Sequence, residues 1–226
     1  FGLNHIGWFQ DVRYCGKSVM DRVLETMARR KPNGFDVQLI ELFRMVPTGS
    51  VSFFFRGDAV VRQQKEKNKY RGEELHELEQ AILELYKNES LTDIPDLVRE
   101  RRVSWYENSI VPLLAALTSQ RTRELIVCTR NNGCLRGMPN DSIVETTATV
   151  SSDGIGICKR VGESPAFLKG IFYSVKASER LTLEAIENQS YNKALRALAI
   201  HPLVPSLGLA HAYLDRIIEE ENFVLR

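Results

Sequence analysis

The sequence lacks the features that mark a membrane protein, an exported protein or a nucleic-acid binder. Hydrophobic residues make up 43% of the 226 residues, yet no run of about eighteen apolar residues occurs and no signal-peptide pattern is present. Thirty basic and twenty-nine acidic residues leave a net charge of +1, so no overall field favours nucleic acid or an anionic membrane. We therefore expect a cytoplasmic chain with no nucleic-acid and no membrane partner. The chain begins within a predicted strand, which leaves room for a leader that has been removed.

Cysteine is also scarce. The four cysteines are Cys15, Cys128, Cys134 and Cys158. None belongs to a CxxC pair, and no histidine stands beside them at the spacing of zinc ligands. The sequence therefore predicts free, buried thiols in a reducing cytoplasm and assigns cysteine no function.

Hydrophobic periodicity predicts one α+β domain, with an antiparallel sheet packed against several helices. No repeat and no low-complexity linker divides the chain. Three antiparallel strands joined by short turns are expected over residues 124–129, 142–151 and 155–161. Helices are expected over residues 19–30, 36–45, 71–87, 165–188, 192–200 and 205–221, and another ends near Ser119.

The first eight residues hold the most informative histidine. An apolar run bracketed by Gly2 and Gly7 is typical of a buried strand, in which glycines mark close backbone approach. His5 lies inside this run. Histidine is the commonest metal ligand, but a lone histidine in an apolar run is more often a core residue with satisfied hydrogen bonds. The local sequence favours the core interpretation and leaves the metal-ligand interpretation open.

Other polar clusters are weaker signals. The carboxylates of the helix predicted over residues 71–87, and His76 beside them, are typical of a solvated helix face. The arginines at 99, 101 and 102 precede a helix, where they could clamp a carboxylate or phosphate. A surface arginine cluster is the alternative, and spacing alone favours it slightly.

Several short motifs occur in one order along the whole chain. They are GLNHIGW at residues 2–8, NNG at 131–133, MPND at 138–141, VET at 144–146, VKASERLTLEA at 175–185 and ALAIHPLVPSL at 197–207. Each is weak alone, but their order and spacing are specific. Together they resemble the C-terminal domain of family-4 glycoside hydrolases, the NAD- and manganese-dependent glycosidases that include 6-phospho-glucosidases and α-galacturonidase-like members.

The resemblance implies an architecture in two parts. Residues 1–226 would form a substrate- and metal-binding domain, similar to the C-terminal domain of lactate and malate dehydrogenases. Family members bind the dinucleotide with an N-terminal Rossmann domain, whose glycine-rich phosphate turn is absent from this sequence. The chain alone is therefore expected to be inactive and not to bind NAD. Family members are usually homodimers or homotetramers, and the apolar C-terminal helices could supply the interface.

The resemblance also implies a mechanism outside the two-carboxylate scheme of most glycosidases. NAD oxidises the sugar's 3-hydroxyl, and the neighbouring C2 proton becomes acidic. A tyrosine then removes that proton, the glycosidic bond breaks by elimination, water adds, and the ketone is reduced again. A divalent metal, Mn²⁺ or a similar ion, holds the 2- and 3-oxygens as a Lewis acid. The substrate would be a glycoside or a 6-phosphoglycoside.

Carried over residue by residue, the motifs assign three positions. His5 would be a metal ligand, and its usual cysteine partner lies on the absent domain. Asn4 would face the substrate. Arg101, which matches the arginine of the family's R-G-x-x-[WY]-Y segment, would bind the substrate's anionic end. The turn at residues 131–133 would be structural.

Two departures from the family pattern bear on catalysis. Many members carry a tyrosine-rich segment after a proline turn, and this segment supplies the base. The corresponding stretch here, from Ser50 to Phe55, contains no phenol. Tyr70 and Tyr106 are the nearest substitutes by sequence. Arginine and valine also replace small residues at 102 and 103, which could alter the substrate pocket.

Three hypotheses follow from these observations. The first is the substrate- and metal-binding half of an NAD- and Mn-dependent glycosidase. The second is a catalytically impaired member that keeps sugar binding or a structural role. The third is a 2-hydroxyacid-dehydrogenase relative, which needs a His–Asp pair and a substrate arginine at spacings that are not found. The linkage, the sugar and the need for a 6-phosphate stay open.

Overall fold

The computed structural model describes residues 1–3, 5–31, 36–101, 105–158 and 164–225. By its internal contacts the chain divides into two compact units. The first unit comprises Phe1–Gly57, Ile126–Thr147 and Cys158–Arg226, and the second comprises Asp58–Leu125 and Ala148–Ile157. None of the helices in the described ranges is long and apolar enough to span a bilayer.

Strands and helices follow one another mostly in separate runs, and the paired strands with known register are antiparallel, which confirms the predicted α+β class. The strands are β1 (Gly2–Leu3), β2 (Ile6–Phe9), β3 (Arg13–Tyr14), β4 (Lys17–Ser18), β5 (Val46–Pro47), β6 (Arg123–Arg130), β7 (Ile143–Ser151) and β8 (Gly154–Cys158). The helices are α1 (Met20–Arg30), α2 (Val37–Phe43), α3 (Val51–Phe55), α4 (Gly57–Lys65), α5 (Arg71–Tyr86), α6 (Asp96–Glu100), α7 (Val111–Thr118), α8 (Ala166–Asn188), α9 (Tyr191–Ile200) and α10 (Leu207–Glu221). A π-helical turn, Tyr106–Ile110, leads into α7.

The main sheet is larger than the three strands that the sequence predicts. Its order is β5-β2-β1-β7-β6, with β8 paired to β7, and β3 and β4 form a separate hairpin. The recorded pairs that involve β1 and β2 are antiparallel, with Gly2 opposite both Gly7 and Glu145. The extra strands are two to four residues long, too short to give a period-two signal.

The first eight residues form a hairpin and not the single strand predicted for them. The backbone turns at His5, which has a positive φ of 66°, so β1 and β2 pair with each other. This left-handed conformation is several-fold enriched in asparagine, aspartate and histidine. Because His5 lies at the turn, its side chain is exposed, and the prediction of a core histidine is wrong.

The first unit is built around a buried cluster beneath this hairpin. Trp8 and Phe172 are almost fully buried, and Phe43 packs edge-on against the Trp8 ring at 5.3 Å. The cluster comprises Leu3, Ile6, Trp8, Leu39, Met45, Val51, Leu135, Met138, Val144, Leu168, Phe172 and Val175. Since each apolar side chain that is buried in this way contributes roughly 1.5–3 kcal/mol, the cluster holds the hairpin, α3 and α8 in place.

The helices of the second unit are far less buried. No residue of α4, α5 or α6 is buried. The predicted inner face of α5 is only half-covered at Leu75, Leu78 and Ile82, while Leu85 and Tyr86 are exposed. The predicted surface position of His76 is confirmed.

The cysteine prediction is wrong on two counts. Cys134 and Cys158 form a disulfide, with their Cα atoms 6.0 Å apart, which is within the usual range for such bonds. Cys15 and Cys128 are free, but both are exposed. The pairing could not be predicted from the sequence, because the two cysteines are 24 residues apart and meet only after the chain between them has formed a loop and a hairpin.

Candidate functional site

The turn at His5 presents an imidazole at the tip of a rigid hairpin. Its neighbours Leu3 and Ile6 are 1% and 4% exposed and belong to the core cluster. The backbone on both sides of His5 is therefore anchored while its side chain faces solvent. A ligand residue needs this combination of a fixed backbone and an accessible ring.

Two glycines make the hairpin possible. A Cβ atom at Gly2 would lie 2.2 Å from the carbonyl oxygen of Ile6 and 2.6 Å from the Cα of Gly7, so only glycine fits there. A Cβ atom at Gly7 would lie 3.0 Å from the Thr48 methyl carbon. This agrees with the predicted close approach of the backbone at these glycines.

Thr48 ties the hairpin to the segment that follows β5. Its hydroxyl accepts a hydrogen bond from the Gly7 N–H at 3.1 Å and donates to the His5 carbonyl at 3.2 Å. The Thr48 N–H also donates to the Gly7 carbonyl at 2.8 Å. One side chain thus satisfies polar groups on both sides of the turn and fixes the direction in which His5 leaves the sheet.

Glu145 lies against the hairpin glycines, a placement that sequence reasoning missed. It lies opposite Gly2 on β7, and its Oε1 is 3.3 Å from the position of a Cβ atom at Gly7. The carboxylate therefore reaches across the two glycines on the face where they have no side chains. The strand alternation, with Val144 and Thr146 buried and Glu145 half-exposed, was visible in the sequence, but the pairing with Gly2 was not.

The Glu145 carboxylate affects the pKa of Cys128, which lies on β6. Partial desolvation raises the pKa of the exposed Cys128 thiol, and the negative charge of Glu145 raises it further, while Lys176 acts in the opposite direction. Glu145 and Cys128 are therefore close enough to interact electrostatically. The raised pKa keeps the Cys128 thiol in its neutral form, so Glu145 is the charged member of this pair.

The first unit contains one candidate metal ligand, His5, at the hairpin turn. No group of three or more histidine, cysteine, aspartate or glutamate residues that could hold an ion occurs in the described part of the chain. His5 fits the role of one ligand, because its ring is exposed and its backbone is anchored. Further ligands would have to come from elsewhere, as the family resemblance implies.

The remaining candidates are distributed unevenly. Asn4 lies outside the described residues. Arg101 is exposed and ends α6, and it belongs to the second unit together with Tyr70 and Tyr106. Tyr70 precedes α5, where its N–H donates to the Glu73 carboxylate at 2.8 Å. The structure joins Thr48 to the His5 carbonyl and brings Glu145 to the hairpin glycines, and it places the arginine and both tyrosines in a different unit.

A π-helical turn presents two aromatic rings next to Arg101 in sequence. Pro112 cannot donate a hydrogen bond, and its ring would clash with the carbonyl four residues earlier in a regular α-helix. The Val111 N–H instead donates to the Tyr106 carbonyl, one residue further back. Trp105 and Tyr106 stack with ring centres 4.0 Å apart and are each about half-exposed. Turns of this kind are frequent at functional sites.

The stretch from Ser50 to Phe55 folds as the short helix α3. Val51 is fully buried, and Phe54 packs against the core cluster. Phe55 is 38% exposed and contacts the ring of Phe43 at 5.2 Å. These rings serve packing, so the helix supplies no group that could take a proton.

Comparison with known proteins identifies the family. A model described as the family 4 glycosyl hydrolase C-terminal domain matches residues 1–204. The chain belongs to this family. The protein named "Probable 6-phospho-beta-glucosidase" from Bacillus subtilis (strain 168) is 28% identical over 99% of this chain and 53% of its own length. The chain thus spans about half the length of the curated relatives it matches.

Solved structures of family-4 enzymes have the same fold. A 6-phospho-beta glucosidase from Thermotoga maritima, solved with manganese, NAD⁺ and glucose-6-phosphate, aligns with a TM-score of 0.84 at 25% identity over 99% of this chain and 52% of that one. A 6-phospho-alpha-glucosidase from gut microorganisms, solved with NAD and glucose-6-phosphate, gives 0.86 at 26% identity over 100% and 56%. The fold is therefore that of the C-terminal half of these enzymes.

Proposed function

We propose that this chain is the substrate- and metal-binding half of a glycosidase that uses NAD and a divalent metal. Family membership supports this proposal, and so does the exposed side chain of His5 on an anchored backbone turn. The whole protein would also contain a dinucleotide-binding half of similar size. The reaction would follow the oxidation, elimination, addition and reduction route on a glycoside or a 6-phosphoglycoside.

The substrate class we infer is a sugar carrying a 6-phosphate. Relatives are named 6-phospho-glucosidases, and two of the matching structures were solved with glucose-6-phosphate. Arg101 would bind the phosphate, because a guanidinium forms paired hydrogen bonds with phosphate oxygens. Both α- and β-specific enzymes are among the similar proteins, so the linkage is left open.

Manganese, when bound, would polarise the sugar oxygens as a Lewis acid. This chain would contribute the His5 ligand, and Thr48 would orient it through the His5 carbonyl. The described residues contain no glycine-rich turn between a strand and a helix of the dinucleotide-binding kind. NAD binding is therefore assigned to the other half.

A second candidate is a family member that binds the sugar phosphate without cleaving it. The observation in its favour is the absence of any phenol in α3, from Val51 to Phe55. Tyr70 and Tyr106 stay candidates for the base, since their side chains are 63% and 49% exposed. The protein would be cytoplasmic and would assemble as a homodimer or homotetramer.

The test uses the complete protein, including the proposed dinucleotide-binding half. Hydrolysis of 4-nitrophenyl α- and β-glucosides and of their 6-phosphates would be measured with NAD⁺, Mn²⁺ and a thiol. We expect turnover of a phosphorylated substrate only. Binding of glucose-6-phosphate without turnover would favour the second candidate.

Metal binding separates the role of His5 from catalysis. Titration with Mn²⁺, followed by electron paramagnetic resonance, should show at least about tenfold weaker binding in His5→Ala. His76→Ala removes an exposed imidazole from the second unit and should leave the titration unchanged. Equal Mn²⁺ affinity in the wild type and His5→Ala would refute the assignment.

A further inference from the structure

The loop between β6 and β7 is closed by its own hydrogen bonds. The N–H of Asn131 donates to the Ser142 carbonyl at 2.8 Å, and the N–H of Asn132 donates to the Asn140 carbonyl at 3.1 Å. Its two ends therefore meet, as in compact surface loops of this length. Residues 131–142 are called the closed loop below.

The Asn131 side chain fills the centre of the closed loop. Asn131 is fully buried, and its amide nitrogen donates to the carbonyls of Leu135 and Met138 at 3.1 and 2.8 Å. Its amide oxygen accepts from the Leu135 N–H at 2.6 Å. Leu135 and Met138 are members of the core cluster. The closed loop is thus part of the core of the first unit and not a loose connection.

The disulfide joins the closed loop to the end of β8. Cys134 is 1% exposed, whereas Cys158 is only partly buried. The Cys158 sulfur also lies 3.6 Å from the Asn131 carbonyl oxygen, which a thiol could use as an acceptor. The site can therefore satisfy Cys158 as a thiol as well as in the disulfide.

We propose that Cys134 and Cys158 form a reversible, redox-dependent clasp on the closed loop. Oxidation would proceed by exchange with a small-molecule disulfide such as oxidised glutathione. The Cys158 thiolate attacks one sulfur of that disulfide and releases one thiol. The Cys134 thiolate then attacks the Cys158 sulfur of the mixed disulfide and releases the second thiol. One small disulfide is reduced to two thiols, and two protein thiols become one disulfide.

Burial decides which sulfur starts each exchange. Cys134 is out of reach of solvent, so an incoming thiolate can attack only at Cys158, and exchange rates depend on such access. A fully buried disulfide would be inaccessible to thiol–disulfide exchange, and a fully exposed one would have little effect on the packing of the core. The uneven exposure of the two cysteines makes the clasp reversible while it still acts on the core.

The clasp would act on the candidate site through shared packing. Leu135 and Met138 pack in the same cluster as Leu3 and Ile6, which anchor the His5 turn, and Val144, which precedes Glu145. A cross-link restricts local opening of the segment that it closes. The oxidised state would therefore hold the hairpin more firmly than the reduced state.

The first experiment is differential alkylation of the complete protein after equilibration with oxidised or reduced glutathione, followed by peptide mass spectrometry. We expect Cys134 and Cys158 to be protected together under oxidised glutathione and alkylated together, after unfolding, under reduced glutathione. The exposed Cys15 and Cys128 report on alkylation that is independent of the pair. A pair that stays reduced in the first buffer, or oxidised in millimolar reduced glutathione, would overturn the proposal.

The second experiment is amide hydrogen exchange over residues 131–142. Exchange should be at least about tenfold slower in the oxidised protein than in the reduced one. The double variant Cys134→Ser/Cys158→Ser should exchange at the fast rate in both buffers, while Cys128→Ser should behave as the wild type. Equal exchange in the two redox states would show that the cross-link does not act on the loop. These readouts need no enzyme activity, so the outcome is independent of the proposed function.

Discussion

The His5 hairpin and the Arg101 segment are two candidate binding regions that differ in how firmly their backbones are packed. His5 stands on a turn whose neighbours are buried and whose carbonyl is held by Thr48. Arg101 ends a helix of five residues, none of which is buried. A metal ligand has to be placed within about 0.5 Å, whereas a long arginine side chain can find a phosphate from a less constrained backbone. The difference between the regions therefore matches the roles proposed for them.

The largest expected effect comes from filling the space at Gly2. Gly2→Ala places a methyl group against the Ile6 carbonyl and the Gly7 Cα, and neither backbone atom can move aside. We expect a loss of at least about 4 kcal/mol in the free energy of unfolding, measured by urea denaturation. Gly72→Ala in α5 of the second unit meets no atom within 4 Å and should stabilise by about 0.5–1 kcal/mol. A tolerated Gly2→Ala would show that the hairpin is not rigid.

A second effect of nearly this size is expected at Asn131. Asn131→Ala removes the amide group that donates to the Leu135 and Met138 carbonyls and accepts from the Leu135 N–H. Since each such group left unsatisfied costs about 1–3 kcal/mol, we expect a loss of about 3 kcal/mol. The neighbouring Asn132 has a positive φ of 42°, so Asn132→Gly should change stability by no more than about 0.5 kcal/mol. Similar values for the two variants, from the same denaturation curves, would contradict this assignment.

Thr48 provides a smaller test that affects the site more than the fold. Thr48→Val keeps the shape of the side chain but removes the hydroxyl between Gly7 and His5. We expect a stability loss of about 1 kcal/mol and weaker Mn²⁺ binding, with Thr48→Ser close to the wild type. The Thr118 hydroxyl donates to the Leu114 carbonyl of its own helix, in the second unit, so Thr118→Val should leave metal binding unchanged. Weakened binding in Thr118→Val would mean that the effect is not specific to the hairpin.

The smallest expected effect is electrostatic. Because burial and then Glu145 raise the Cys128 pKa, its alkylation rate should keep rising with pH beyond the usual thiol midpoint. Glu145→Gln removes the repulsive charge and should lower this midpoint, so the rate at pH 8 should increase. Glu25→Gln is a suitable control, since Glu25 is exposed on α1 and the charges that act on the Cys128 pKa are Glu145 and Lys176. An unchanged pH profile in Glu145→Gln would place the carboxylate away from Cys128.

The sequence predicted those parts of the fold that repeat over many residues. The helices α8, α9 and α10 were predicted to within about two residues, because their apolar positions recur over three or more turns. The predicted stripe of α5 was less buried than expected, since periodicity gives the direction of a face but not what covers it. The metal candidate was identified only through the family motifs, because a lone histidine has no spacing to interpret.

The missed features depend on residues that are distant in sequence. Glu145 joins the site because β7 pairs with β1, and no local pattern indicates that partner. The same holds for Cys134 and Cys158, which meet only after the closed loop and the β7–β8 hairpin have formed. The His5 turn was missed for a different reason. Strands of two and four residues are too short to be distinguished from one apolar strand.

Gly2 and Gly7, which lie against Glu145, determine which residues would have to be copied to move this hairpin into another protein. Because the glycines have no side chains, the Glu145 carboxylate can lie over them. Thr48, which directly follows β5, holds the hairpin through its hydrogen bonds to Gly7 and His5. A graft that copied only the histidine turn would leave the imidazole without its orientation. The smallest portable unit is a patch of the four strands β5, β2, β1 and β7 carrying Gly2, Gly7, Thr48 and Glu145, and design of a metal-binding hairpin on a foreign sheet should begin from that patch.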